Sequence, residues 1–186
     1  MRLGFFGGSF NPPHEGHKRI IEYCSKEFDK FLIIPNYDSP QIDKEVLVSY
    51  EHRYNMLKLL LDEGKKYIDD YEAKSNQVNY TYLTIQYLKK KYKRYDIYMI
   101  LGKDQLDNLP NWRNLNFILD NAKLICFDRK TTLNKNKQPY DVDYIDFKCS
   151  ISSTDIRRKI KMGKSPGCDI INEQVLNYIK ENNLYI

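Results

Sequence analysis

The stretch Arg2-Leu3-Gly4-Phe5-Phe6-Gly7-Gly8-Ser9-Phe10-Asn11-Pro12-Pro13-His14-Glu15-Gly16-His17 decides how the rest of the chain reads. Arg2–Phe6 has the apolar, aromatic character of a buried strand. Glycines placed directly after a strand let backbone N–H groups come close to an oxyanion. Pro12-Pro13 stiffens the turn, and a helix expected from about Gly16 to Phe28 offers its positive N-terminal end to a phosphate. His14 and His17 stand at that helix start, where an imidazolium is disfavoured unless an anion is near. Their spacing is one residue shorter than the histidine pair of zinc proteases, so an anion accounts for them better than a metal does.

Outward from this segment, short apolar runs alternate with helical patterns. Phe31-Leu32-Ile33-Ile34 reads as a buried strand stopped by Pro35. Ser49 to Leu61 reads as a helix with Met56, Leu57, Leu60 and Leu61 on one side, and Gly64 as its stop. Asn79 is expected to cap a helix through Tyr92, with Leu83, Tyr87 and Leu88 facing inward. A strand over Asp96–Leu101 ends at Gly102, a short helix runs from Trp112 to about Leu119, and a strand follows over Lys123–Phe127. The Lys/Asn-rich segment Arg129–Tyr140 reads as a loop, and a strand near Tyr144–Phe147 leads to helices over Thr154–Met162 and Asn172–Asn182. The alternation implies an α/β fold, a Rossmann-like doubly wound parallel sheet with C-terminal helices, in a single domain spanning 1–186. Ligands of such sheets sit beyond the carboxyl ends of the strands, where Gly7-Gly8, Gly102 and the segment before Thr154 fall.

The chain has 186 residues, 41% hydrophobic and 13% aromatic, which suits one packed domain and argues against disorder. No apolar stretch approaches the roughly 20 residues of a membrane helix, so no membrane partner is expected. The N-terminal residues do not form a signal peptide, and a cytoplasmic location is the default. Cys24, Cys126, Cys149 and Cys168 are scattered without a CxxC pair, which reads as reduced thiols rather than a metal site. A net charge of +5, spread along the chain, reads as a solvated surface, and no groove-reading motif points to a nucleic-acid partner. The oligomeric state stays open, a homo-oligomer included.

A second anion-type segment lies near the other end: Ser150-Ile151-Ser152-Ser153-Thr154-Asp155-Ile156-Arg157-Arg158. Simple helix capping explains Ser152 and Asp155. It leaves Arg157 and Arg158 near the positive end of a helix, an unfavourable place that a bound polyphosphate would make favourable. Capping and phosphate binding both remain open on these residues alone.

Both segments resemble motifs of the nucleotidyltransferase superfamily, HxGH in the first and ISxTxIR in the second. The second matches at Ile151, Ser152, Thr154, Ile156 and Arg157. Gly102-Lys103-Asp104-Gln105-Leu106, Pro110-Asn111-Trp112, Ile118-Leu119-Asp120-Asn121-Ala122, Asn79-Tyr80-Thr81 and the ending Val175–Tyr185 are similar to bacterial nicotinate mononucleotide adenylyltransferases. That resemblance implies ATP and nicotinate or nicotinamide mononucleotide as partners, with Mg²⁺ bound through ATP. It implies phosphate contacts and catalysis by His14, His17 and Arg157. ATP binding would fall to Gly7, Gly8, Ser9, Phe10, Gly102, Asp104, Ser152 and Ser153, and mononucleotide binding to Tyr80, Thr81, Trp112 and Lys44. On its own, Trp112 in a polar setting reads as a packing residue at a helix start. Where many members carry Pro-Pro-His-Lys, this chain has Asp38–Lys44 without the histidine, which bears on the choice between nicotinate and nicotinamide. Phosphopantetheine adenylyltransferase and a non-catalytic nucleotide-binding regulator are the rival readings.

Overall fold

The computed structural model describes residues 1–37, 48–61, 67–75, 78–128 and 139–186. Strands β1 (Arg2–Gly8), β2 (Lys30–Pro35), β3 (Asp96–Gly102), β4 (Lys123–Asp128) and β5 (Val142–Asp146) form one parallel sheet in the order β2-β1-β3-β4-β5. Phe5 pairs with Leu32 on one side and Met99 on the other, and Cys126 pairs with Leu101 and Tyr144. Ile68 adds a parallel bridge to Ile33 outside β2. The chain therefore steps outward from β1 to β2, then returns to the other side of β1 at β3. That reversal puts the ligand crevice of a doubly wound sheet beyond the carboxyl ends of β1 and β3.

Both faces of the sheet are covered, which is why its strands read as nearly unbroken apolar runs. Alternate residues serve opposite faces. Phe5, Ile34 and Met99 face helices α4 (Thr81–Lys91), α5 (Lys103–Asn108) and α6 (Leu115–Asn121), through Ile85, Leu88, Leu106 and Ile118. Phe6, Ile33 and Ile100 face α1 (Glu15–Glu27) and α2 (Tyr50–Leu60), through Ile20, Ile21, Cys24 and Leu57. A third cluster joins Met56 and Leu60 of α2 to Ile156 of α7 (Ser153–Lys161) and Val175 and Ile179 of α8 (Glu173–Glu181). That docking carries the C-terminal helices back to the start of the chain.

Several expectations are corrected. Asn79 does not cap α4: Tyr80 holds the N-cap position without a side-chain hydrogen bond, while the Asn79 amide donates to the Glu72 carbonyl at 3.1 Å. The buried face of α4 is Thr84, Ile85 and Leu88, with Leu83 and Tyr87 half-buried. Trp112 ends a 3-10 turn (Leu109–Asn111) instead of starting a helix, because Asn114 enters the left-handed region at φ 58° and α6 begins only at Leu115. Helix α5 and the short α3 (Tyr71–Ser75) were not foreseen. Gly64 and residues 129–138 lie outside the described residues. All four cysteines are free thiols, three of them buried. Among the described residues, no helix is long and apolar enough to cross a membrane.

Gly4 shows how tightly α1 closes on the sheet, since a Cβ there would lie 2.7 Å from the Phe28 ring. Gly4→Ala should cost about 1–3 kcal/mol through displacement of that ring, a fall in Tm of roughly 3–10 °C. Thermal unfolding checks this, and an unchanged Tm would mean that Phe28 moves aside freely.

Candidate active site at the β1–β3 crevice

Beyond Gly8 the chain forms a loop whose carbonyls are held from outside it. Phe10, buried and at φ 49°, occupies the left-handed region, and the Asn11–Pro12 peptide is cis. The Gly8 carbonyl accepts from the Asn36 N–H at 2.9 Å. The Ser9 carbonyl accepts from Arg53 Nη1 at 2.8 Å. The Asn11 carbonyl accepts from Arg157 Nη1 at 2.7 Å, and the Pro12 carbonyl accepts from Ser153 Oγ at 2.9 Å. Asn11 Oδ1 accepts from the Tyr185 hydroxyl at 2.6 Å. The two anion-type segments, more than 140 residues apart, thus meet directly at Asn11 and Pro12.

His14 is the N-cap residue of α1 and is 3% exposed; its ring stacks on that of His17 with centroids 3.7 Å apart. The His14 backbone N–H donates to His17 Nδ1 at 3.2 Å. An Nδ1 that accepts leaves the proton of a neutral ring on Nε2, so His17 is oriented as an Nε2 donor. Phe10 meets the His17 ring edge-on at 5.0 Å. Gly16 is required by this packing, because a Cβ there would lie 2.8 Å from Cys149 Sγ and 3.0 Å from the His14 ring.

Ser152 is the N-cap of α7, accepting from the Asp155 N–H at 3.1 Å and donating to Asp155 Oδ2 at 2.8 Å. Capping therefore does occur here, and the next residues reach the loop at the same time. Arg158 pairs with Asp155 at 2.9 Å, away from the loop. Ser152 lines a cleft of about 760 Å³ with Glu15, Arg19 and Cys149.

A separate cavity of about 270 Å³ opens at the carboxyl ends of β1 and β3, where Gly7 and Leu101 line it. Trp112, Tyr80 and Thr81 line it as well, so the proposed mononucleotide residues are brought together except Lys44, which lies outside the described residues. Trp112 also packs against the core, as its packing reading expected. Its indole Nε1 is buried with no hydrogen-bond partner among the described residues. At Gly102 an added Cβ would meet nothing within 4 Å, so that strand end faces open space. Asp104 is exposed on α5, and it is Gln105 that lines the cavity.

Sequence reasoning missed three residues here. Arg113 lines the cavity, its guanidinium 4.9 Å from the Tyr80 ring centroid. Glu72 is a buried carboxyl in the cavity wall, accepting from Thr84 Oγ1 at 3.0 Å and from the Tyr37 N–H at 3.3 Å. Arg53 is fully buried. Its position one turn before Met56 and Leu57, on the apolar stripe of α2, was the available signal.

Burial raises the Glu72 pKa from the usual 4.5 to about 7, against weaker lowering by its hydrogen bonds and by Arg53. A carboxyl raised in the folded state contributes fully below about pH 4.5, and the contribution is lost as pH rises through about 7. Wild type should therefore lose stability relative to Glu72→Gln between pH 5 and 8, by on the order of 3 kcal/mol at most. Denaturant midpoints of the two proteins across that range give the difference, and a pH-independent gap would rule the shift out.

Comparison with known proteins follows the same lines. Residues 5–159 match the family described as cytidylyltransferase-like. A Clostridium tetani protein named as a probable nicotinate-nucleotide adenylyltransferase is 36% identical, covering 99% of this chain and 98% of its own. One of the same name from Borreliella burgdorferi is also 36% identical, over 100% of this chain and 97% of its own. The fold of Plasmodium falciparum nicotinic acid mononucleotide adenylyltransferase complexed with NaAD superposes with a TM-score of 0.83 at 19% identity, over 99% and 97% of the two chains. The HxGH loop, the ISxTxIR helix joined to it, and relatives matched end to end agree: the chain belongs to the nicotinate-nucleotide adenylyltransferase family of cytidylyltransferase-like proteins.

Proposed function

We propose that this protein transfers the AMP part of ATP to the phosphate of nicotinate mononucleotide, forming nicotinate adenine dinucleotide and pyrophosphate on the route to NAD. The observation that carries this reading is the junction at Asn11 and Pro12. It joins the histidine segment to Arg157 and Ser153 beside the strand ends that open onto the Trp112 cavity.

In the reaction, an oxygen of the mononucleotide phosphate attacks the α-phosphorus of ATP in line. One P–O bond forms, the bond to the bridging oxygen of the pyrophosphate breaks, and that pair of electrons leaves with the pyrophosphate. The substrate supplies the nucleophile, so the protein's tasks are alignment and stabilisation of developing charge. His17, oriented by the His14 N–H, points an Nε2–H donor at the α-phosphate, and His14 and the loop N–H groups hold neighbouring oxygens. Arg157 donates from Nη1 to the Asn11 carbonyl and from Nη2 to Thr154 Oγ1, and its remaining N–H groups are assigned to the leaving pyrophosphate, with Ser152, Ser153 and the start of α7 beside it. Mg²⁺ would be held by the phosphate oxygens of ATP and would supply neutralisation of their charge.

The pyridine ring is assigned to the 270 Å³ cavity, against Trp112. An anionic ring substituent would find three groups there. They are the N-terminus of α4, which lacks a side-chain cap, the Trp112 Nε1–H, which has no partner among the described residues, and the Arg113 guanidinium, which together oppose the Glu72 carboxyl of the same wall. These favour nicotinate over the neutral nicotinamide, in accord with the names of the relatives.

His17→Ala should reduce kcat by about 10²–10³-fold in a folded protein, as loss of a single charge-stabilising donor does. Pyrophosphate release from ATP and nicotinate mononucleotide measures it, and undiminished turnover would remove His17 from the mechanism. Arg113→Gln should lower kcat/KM for nicotinate mononucleotide about tenfold while changing that for nicotinamide mononucleotide little. Equal changes with both acceptors would take Arg113 out of ring recognition, and turnover with phosphopantetheine in place of either would overturn the assignment of substrate.

A further inference from the structure

We propose that Arg53 is a positioning residue for phosphate binding: its buried guanidinium holds the Ser9 carbonyl and so turns the Ser9–Phe10 peptide to present its N–H to a phosphate oxygen. This rests on the nucleotide-binding reading above and adds to it a residue outside both sequence motifs.

A trans peptide carries its C=O and N–H on opposite sides. With the Ser9 carbonyl fixed 2.8 Å from Arg53 Nη1, the Phe10 N–H points away from that guanidinium. The same logic applies one peptide earlier, where the Asn36 N–H holds the Gly8 carbonyl at 2.9 Å. Phe10 lies in the left-handed region, at φ 49°, an orientation that a non-glycine residue keeps only when its surroundings impose it. Arg53 supplies that constraint at the Ser9 carbonyl, and two further bonds hold Arg53 itself. Its Nε donates to the Val48 carbonyl at 3.1 Å and its Nη2 to the Tyr37 carbonyl at 3.4 Å, so the planar fork cannot swing.

The charge matters as well as the shape. Arg53 is fully buried, and among the described residues its hydrogen-bond partners are carbonyl oxygens. A buried cation without a bonded carboxylate is unfavourable unless an anion lies close by. The Glu72 carboxyl is one such neighbour, and a phosphate on the far side of the Ser9–Phe10 peptide would add a second, with the peptide dipole aligned between it and Arg53. Lysine offers the charge but not the fork, and methionine fills similar space with neither.

The test uses the full chain with Arg53→Met and Arg53→Lys, and measures binding of α,β-methylene-ATP and of adenosine by calorimetry and ligand-observed NMR. For a folded Arg53→Met protein, affinity for α,β-methylene-ATP should fall at least tenfold, while that for adenosine stays within threefold; Arg53→Lys should recover part of the loss. A folded Arg53→Met that binds both ligands as wild type does, or that loses both in equal proportion, overturns the proposal. Should Arg53→Met show no cooperative melt, Arg53→Lys decides: a loss for α,β-methylene-ATP at least threefold greater than for adenosine supports the proposal, and equal losses or none overturn it. Wild-type protein unable to bind α,β-methylene-ATP would instead remove the nucleotide-binding reading itself, and this inference with it.

Discussion

A loop that is to offer amide hydrogens to a polyanion must first dispose of its own carbonyl oxygens, which would repel that anion. Here four of the five carbonyls from Gly8 to Pro12, all but that of Phe10, are shown with a donor from another part of the chain: Asn36, Arg53, Arg157 and Ser153. Those donors come from the end of β2, from α2 and from the start of α7. The sheet, the α2 face and the C-terminal helices are therefore all needed to give one five-residue segment its polarity. The apolar cluster that ties α7 and α8 to Met56 and Leu60 holds two of these donors in place.

The fold was legible in the sequence to the extent that its signals are local. Strand limits at Gly8, Pro35 and Gly102, helix starts at Ser49 and Asn172, and the cap at Ser152 follow from the chemistry of single residues and their neighbours. The two segments that meet at Asn11 and Pro12 stood out for the same reason, since glycines, histidines and arginines at fixed offsets are local signals. Asn79 shows the limit. Its type and position suited a cap, but a buried partner seven residues earlier competed successfully for its amide. The helix expected from Trp112 was displaced by the left-handed turn at Asn114, which nothing in the local pattern announced.

Glu72 and Arg113 were illegible for a different reason. Neither lies on a periodic stripe, and both acquire their significance from residues brought near by the sheet: Thr84 and Tyr37 around the carboxyl, Tyr80 beneath the guanidinium. The cavity thus has one buried acid and one exposed base in its wall. Apolar residues and Trp112 set its shape, while its charge balance is a tertiary property. Lys44, the cation suggested by sequence, lies outside the described residues.

The hydroxyl of Tyr185 reaches an amide oxygen 174 residues upstream, and Arg157 reaches the same residue across 146. Contacts between residues that far apart in sequence carry a larger closure entropy than local ones. The described residues of the parallel sheet and the lining of the Trp112 cavity all precede Ser150, whereas the polarity of the 8–12 segment depends on groups from α7 and from the residues after α8. One short segment thus reads out whether the two ends of the chain have come together.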